Sequence, residues 1–181
     1  MSILSEALKT RAEIDKNKLK RVAASDPVAL NNMGARHYLE GDYGTAFEYL
    51  TKAAELDNAE AHYQLSRFYR EGVVGVEKDE RKRLYHLEEA AIGGHAKARF
   101  QLACYEWIHG RFDREVKHLI IAARLGCDYS IENLRTSYVD GLVSKEEFAT
   151  ALRAHQAAVD ATKSPLREAA AKAEAAGEIR W

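Results

Sequence analysis

Small and apolar residues recur along the chain with a helical period, and the pattern itself repeats. Sliding the sequence along itself sets EYLTKAAELDNAEA, YHLEEAAIGGHAKA and KHLIIAARLGCDYS in register. Leu50, Leu87 and Leu119 coincide, as do the pairs Ala53-Ala54, Ala90-Ala91 and Ala122-Ala123. Asp57, Gly94 and Gly126 follow, and then Ala61, Ala98 and Ser130. The steps are 37 and 32 residues, and a period of that size with two helices per unit predicts a helical solenoid. The alanine pair lets two helices approach closely, and a glycine behind it takes the left-handed turn that ends a helix. A further glycine, at Gly41, Gly72, Gly110 or Gly141, is placed to close the first helix of each unit. A weaker fourth unit carries Ala157-Ala158 in its second helix. Each hairpin alone leaves an apolar face uncovered, so neighbours must stack to bury it.

The two ends read differently. An amphipathic helix with Ile3, Leu4, Ala7, Leu8, Ile14 and Leu19 occupies residues 1–24 and is suited to cap the array. Ser25-Asp26-Pro27 is a helix start, because the Asp26 carboxylate accepts free backbone N–H groups and Pro27 loses no donor at the first helical position. Ser164-Pro165 marks another start, opening an alanine-rich helix and tail over residues 164–181. The repeat region between them spans residues 26–160.

Composition supports an all-helical chain: only two prolines occur in 181 residues, Ala, Leu, Glu, Lys and Arg dominate, and strand signals are missing. With 27 Lys plus Arg against 28 Asp plus Glu, no bulk charge draws the chain to nucleic acid or to an anionic membrane. Neither is an expected partner. No apolar run of signal or membrane-spanning length is found, and Cys104 and Cys127 lack CxxC spacing. The expected residence is cytoplasmic, with the nucleus as the alternative.

Candidate chemistry changes this picture little. Gly72-Val-Val-Gly75 followed by Lys78 lacks both the preceding strand and the Lys-Ser or Lys-Thr of a phosphate loop. His37, His62, His86, His95, His109, His118 and His155 form no HExxH and no i,i+4 pair, although the repeats are able to bring two of them together in space. Glu88-Glu89 and Glu146-Glu147 are sequence neighbours that point apart on a helix, and no nucleophile motif is present. Catalytic residues, cofactors and metals are therefore not expected.

The clearest unit, AHYQLSRFYREGVVGVEKDERKRLYHLEEAAIGG, resembles the Sel-one-like repeats, relatives of the tetratricopeptide repeats. The resemblance rests on Ala61, Leu65-Ser66, Tyr69, Gly72, Gly75-Val76, Asp79 and Ala90-Ala91 with Gly94. Ser66 departs from the usual Gly, Arg83 stands where Ala is common, and the turn holds one extra residue between Gly72 and Gly75. The first and third units lack the long turn and look more like tetratricopeptide units. The resemblance implies a right-handed α/α solenoid of about four stacked helix-turn-helix units with flanking terminal helices. It also implies an adaptor without catalytic residues, whose first helices line a concave side.

Helical spacing then selects the inner face. With Gly34, Ser66 and Ala103 as the close-packed positions, the residues three before, one after and four after share a face. The rows are Asn31, Ala35 and Tyr38; Tyr63, Arg67 and Arg70; Phe100, Cys104 and Trp107; and Glu132, Thr136 and Val139. Aromatic and guanidinium groups of this kind are enriched at binding hot spots. Phe100 and Trp107 fit a groove or the core between helices equally well, whereas Arg67 and Arg70 fit a groove, since an unpaired buried Arg is costly. The expected function is a non-enzymatic protein–protein interaction or adaptor module that holds a peptide or helix on its concave face. The alternative is a structural scaffold, natural or engineered, that self-assembles without a dedicated ligand.

Overall fold

The computed structural model describes residues 14, 16–17, 19–73 and 75–162. The expected helix and tail over 164–181, and most of the expected capping helix over 1–24, lie outside the described residues. Residues 19–23 are helical, and Val22 packs against the first core cluster. From there the helices are α1 (Pro27–Leu39), α2 (Tyr43–Ala54), α3 (Ala59–Glu71), α4 (Glu80–Ile92), α5 (Ala96–Ile108), α6 (Phe112–Arg124), α7 (Asp128–Val139) and α8 (Lys145–Thr162). No strand occurs among the described residues, and no helix among them is long and apolar enough to cross a membrane.

Each boundary has a local cause. Asp26, one residue before Pro27, accepts the Ala29 N–H at 2.8 Å. Asn58 does the same for Ala61 at 2.9 Å and Asp79 for Lys82 at 3.0 Å, each satisfying a donor that a helix start leaves free. Ser144 and Glu147 open α8 with a reciprocal box: the Ser144 hydroxyl accepts the Glu147 N–H at 3.2 Å, and Glu147 Oε2 accepts the Ser144 N–H at 3.0 Å. At the other end of α3, Gly72 takes φ 66° and donates its N–H to the Phe68 carbonyl at 2.9 Å.

Two compact units are formed, Met1–Ala98 and Arg99–Trp181. In the first, α1 packs on α2, α2 on α3 and α3 on α4. Its core joins Leu30, Ala46, Leu50, Ala53, Ala54, Ala61, Leu65 and Phe68. In the second, α6, α7 and α8 pack on one another around Ala103, Val116, Leu119, Ala123, Leu134, Val143 and Ala151. The repeat register holds in both: Leu50, Leu87 and Leu119, the three alanine pairs, and Ala61, Ala98 and Ser130 are all buried.

Register weakens at the fourth unit. Ala157 is exposed and Ala158 only half-buried, because no described helix follows α8 to cover them. Arg135, five residues beyond Ser130 and so level with Gly34, Ser66 and Ala103, is exposed and pairs with Glu132.

Candidate interaction surface

In the first unit the face selected by helical spacing is built from α1 and α3. Asn31 is buried and Ala35 half-buried, so they form the floor of their row. Tyr38, one turn on, is half-buried and sits edge-on to Tyr43 and Phe68, with ring centroids 5.3 and 5.6 Å apart. The Arg67 guanidinium lies over the Tyr38 ring at 5.5 Å from its centroid. The same side chain donates from Nη1 to Gln64 Oε1 at 3.0 Å, and its Nε is 3.8 Å from Glu71. Arg70 is exposed and pairs with Glu71 at 2.9 Å. The two rows therefore meet through Tyr38 and Arg67, and both arginines already have partners within the chain.

Tyr63 stacks on His95, with centroids 4.2 Å apart and planes 22° from parallel. His95 caps α5: its Nδ1 accepts the Ala98 N–H at 3.1 Å. That role places the ring proton on Nε2, which donates to Glu60 Oε2 at 3.1 Å. This hydrogen bond is the largest cause of the lowered pKa of Glu60. Glu60, Tyr63, Gln64, Arg67, His95 and Lys97 line an open concavity of about 370 Å³.

The same unit holds a pair of histidines in contact. His62 Nε2 bonds the Ala54 carbonyl at 3.1 Å and therefore carries the proton, so its Nδ1 accepts from His86 Nδ1 at 2.9 Å. The repeats do bring two histidines together, and their contact is a hydrogen bond. Burial, then the neighbouring His62 and Lys82, lowers the His86 pKa to about 4. Among the described residues no group of three or more His, Cys, Asp or Glu side chains is arranged to hold a metal ion.

In the second unit the two aromatic candidates part company. Phe100 is half-buried, packs against the core cluster and lies 5.7 Å from the Tyr129 ring. Trp107 is 59% exposed. Trp107 and the half-buried Cys104 line a smaller concavity of about 280 Å³ with Ala103, Ile108, Glu115 and Leu119. Glu132, Thr136 and Val139 are exposed on α7, where the Thr136 hydroxyl turns back to the Glu132 carbonyl at 3.4 Å.

A family model, the Sel1 repeat, matches residues 27–58 and 59–95. A crystal structure of a Sel1 repeat protein from Oxalobacter formigenes is 25% identical and superposes with a TM-score of 0.65, covering 82% of this chain and 63% of that one. A protective antigen present in uropathogenic Escherichia coli strains and displaying an SLR fold is 21% identical with a TM-score of 0.59, covering 79% of this chain and 32% of that one. The chain thus spans less than two thirds of the length of either. No curated protein matches it in sequence. The all-α repeat-solenoid class is the fold of these neighbours and of this chain.

The chain's own repeat register explains the residues that spacing within one helix did not select. Asp26, Asn58, His95 and Cys127 stand at successive 32-, 37- and 32-residue steps, and each precedes a first helix as its cap residue or, for His95, as its capping side chain. His95 and its partner Glu60 were therefore legible from the cap position. Ala46, Arg83 and Glu115 likewise stand four residues before Leu50, Leu87 and Leu119. Glu115 in an alanine position was the signal for a buried carboxylate, and it was not read.

Proposed function

We propose that the chain is a non-enzymatic protein–protein interaction module that holds a peptide or helix on the face formed by its first helices. Sel1 repeats generally mediate protein interactions. The observation that carries the finer reading is the Tyr38–Arg67 pair beside the Tyr63–His95 stack. Large amphipathic groups are held in place by neighbours yet left partly open to solvent, and Tyr63, Arg67 and His95 line the 370 Å³ concavity. Groups ordered in advance lose less side-chain entropy on binding, which favours affinity.

The test is affinity capture by the intact protein and by an Arg67→Glu, Arg70→Glu variant, with folding checked by circular dichroism. Both arginines are at the surface or half-buried, so their reversal leaves the core intact. A partner held by the parent and lost by the folded variant supports the reading. Partners retained equally by both would place binding elsewhere, and self-association as the only capture would favour the plain scaffold. Trp107 is the residue to change in the second unit, because Phe100 contributes to the core.

A further inference from the structure

Among the described residues of the second unit, one buried carboxyl has nothing to meet it. Glu115 is 6% exposed, and neither of its carboxylate oxygens makes a hydrogen bond or ion pair among the described residues. Oε2 is inaccessible and, among the described residues, unpartnered. Buried polar groups are paired in the great majority of cases, and an unmet carboxylate is among the most expensive exceptions. Nearby cations do not relieve it: Arg111 and Arg114 both bind Glu106, the latter at 3.0 Å. Burial instead pushes the Glu115 carboxyl above the usual carboxylate range.

Glu115 lines the concavity together with Ala103, Cys104, Trp107, Ile108, Leu119 and Asn133. At about 280 Å³ the space falls below the usual range for a small-molecule site and suits one long side chain. Its walls are apolar at the floor, where Ala103 and Leu119 are fully buried, and aromatic at the rim, where Trp107 is exposed. An apolar stem ending in a cation matches the apolar lining and the buried carboxyl, with Cys104 and Asn133 completing the wall. Its methylenes would lie against Leu119 and Ile108, its head would meet Glu115, and the indole of Trp107 would attract the charge.

We propose that this concavity takes a lysine or arginine side chain of a protein partner, with Glu115 as its counter-ion. The proposal rests on the interaction-module reading above and adds to it the chemistry of one anchor. A charge-assisted pair in a desolvated pocket is the kind of contact that dominates an interface.

A random peptide library displayed on phage, selected on the full chain, tests it. Peptides enriched in a lysine or arginine are expected. The most enriched peptide should lose ten- to hundred-fold in affinity when that residue is replaced by norleucine, and by a similar factor on Glu115→Gln. Trp107→Ala, a surface change, should weaken it several-fold, so the test survives even if Glu115→Gln does not fold. Addition of the peptide should also lower the Glu115 carboxyl pKa, read by carbon-13 NMR. Enriched peptides that lack a basic residue, or that bind Glu115→Gln as tightly as the parent, would overturn this inference and leave the module reading standing. Failure to enrich any peptide would overturn both. Selection of basic peptides only by a chain ending at residue 162 would identify residues 163–181 as the occupant and overturn the assignment to a partner.

Discussion

Replacing Gly34 by alanine sets two effects of known sign against each other. Alanine is about 1 kcal/mol better than glycine in a helix interior, so on propensity alone Gly34→Ala stabilises α1. The added Cβ, however, falls 2.7 Å from Leu50 Cγ, 2.9 Å from Leu50 Cδ2 and 3.2 Å from the Ala46 carbonyl oxygen. Carbon atoms in favourable contact sit about 3.5–4.0 Å apart. Leu50 has no room to withdraw, being fully buried against Ala46, Ala53 and Leu65, and the atom struck is its branch point, not a free end. Overpacking of this kind costs about 1–3 kcal/mol, and with both side chain and backbone in the way the upper half of that range applies. The net expectation is a loss of about 1–2 kcal/mol. Urea unfolding followed by helical circular dichroism measures it, with an unchanged denaturant slope as the check that only stability moved. In a Leu50→Ala background the clash is gone, so the same substitution should there be neutral or stabilising, a coupling on the order of 1–3 kcal/mol. A Gly34→Ala variant at least as stable as the parent would show that α1 and α2 are not this close. The alignment of Gly34 with Ser66 and Ala103 would then lose its physical basis.

Three further outcomes are expected. Asp57 takes φ 56° where Gly94 and Gly126 take 81° and 84° in the same register, so Asp57→Gly should stabilise by about 0.5 kcal/mol once the glycine's greater unfolded-state entropy is set against the relieved strain; thermal melts that fall instead refute it. His86 has a pKa of about 4 in the fold against 6.5 ordinarily, so in that interval the unfolded chain binds a proton that the folded chain refuses. Stability is complete above about pH 6.5 and falls as pH drops towards 4, by about 1–2 kcal/mol after allowance for solvent screening at a half-buried ring; His86→Gln, which still donates to His62, should flatten the pH profile, and an unchanged profile counts against it. Glu115, with its pKa raised by burial, keeps its proton to higher pH in the fold than in the unfolded chain, so stability falls as pH rises through that interval. Glu115→Met should remove this slope and raise stability at neutral pH by about 1–3 kcal/mol, and a destabilised variant would show that the carboxylate is satisfied in solution.

The repeat architecture was legible because its determinants are local and recur. Leu50, Leu87 and Leu119, the alanine pairs and the closing glycines each have one structural duty, and the duty repeats with the residue. The caps were legible for the same reason at Asp26 and Asp79. His95 escaped notice because histidine is not a usual cap, although it fills the place of Asn58. The selected rows fall on α1, α3, α5 and α7, but which members were open could not be read from spacing. Phe100 and Trp107 are two turns apart on α5, yet one joins the core and the other is exposed, according to what α6 and α7 present to each. Partnering was illegible too, since Arg67 finds Tyr38 and Gln64 only once α1 and α3 are packed.

The position four residues before the core leucine shows where recognition is expected to concentrate. Ala46 there is fully buried and inert. Arg83 carries its charge out along a long stem to Glu80 at 2.6 Å, although its Nε is buried without a partner among the described residues. Glu115, with two methylenes, cannot reach solvent in the same way and keeps an unmet carboxylate inside. The arginines of the first unit, by contrast, are already engaged by Glu71, Gln64 and Tyr38, and exposed pairs of that kind contribute about 0–1 kcal/mol. A partner that replaces those contacts gains little beyond what it displaces, whereas one that supplies a cation to Glu115 relieves a penalty the free protein carries. Arg67→Glu and Arg70→Glu should therefore alter association rate and salt dependence more than residence time, and Glu115→Gln the reverse. Stopped-flow association and dissociation rates for one bound peptide separate the two, and a dissociation rate unmoved by Glu115→Gln would remove the buried carboxylate from the binding energy.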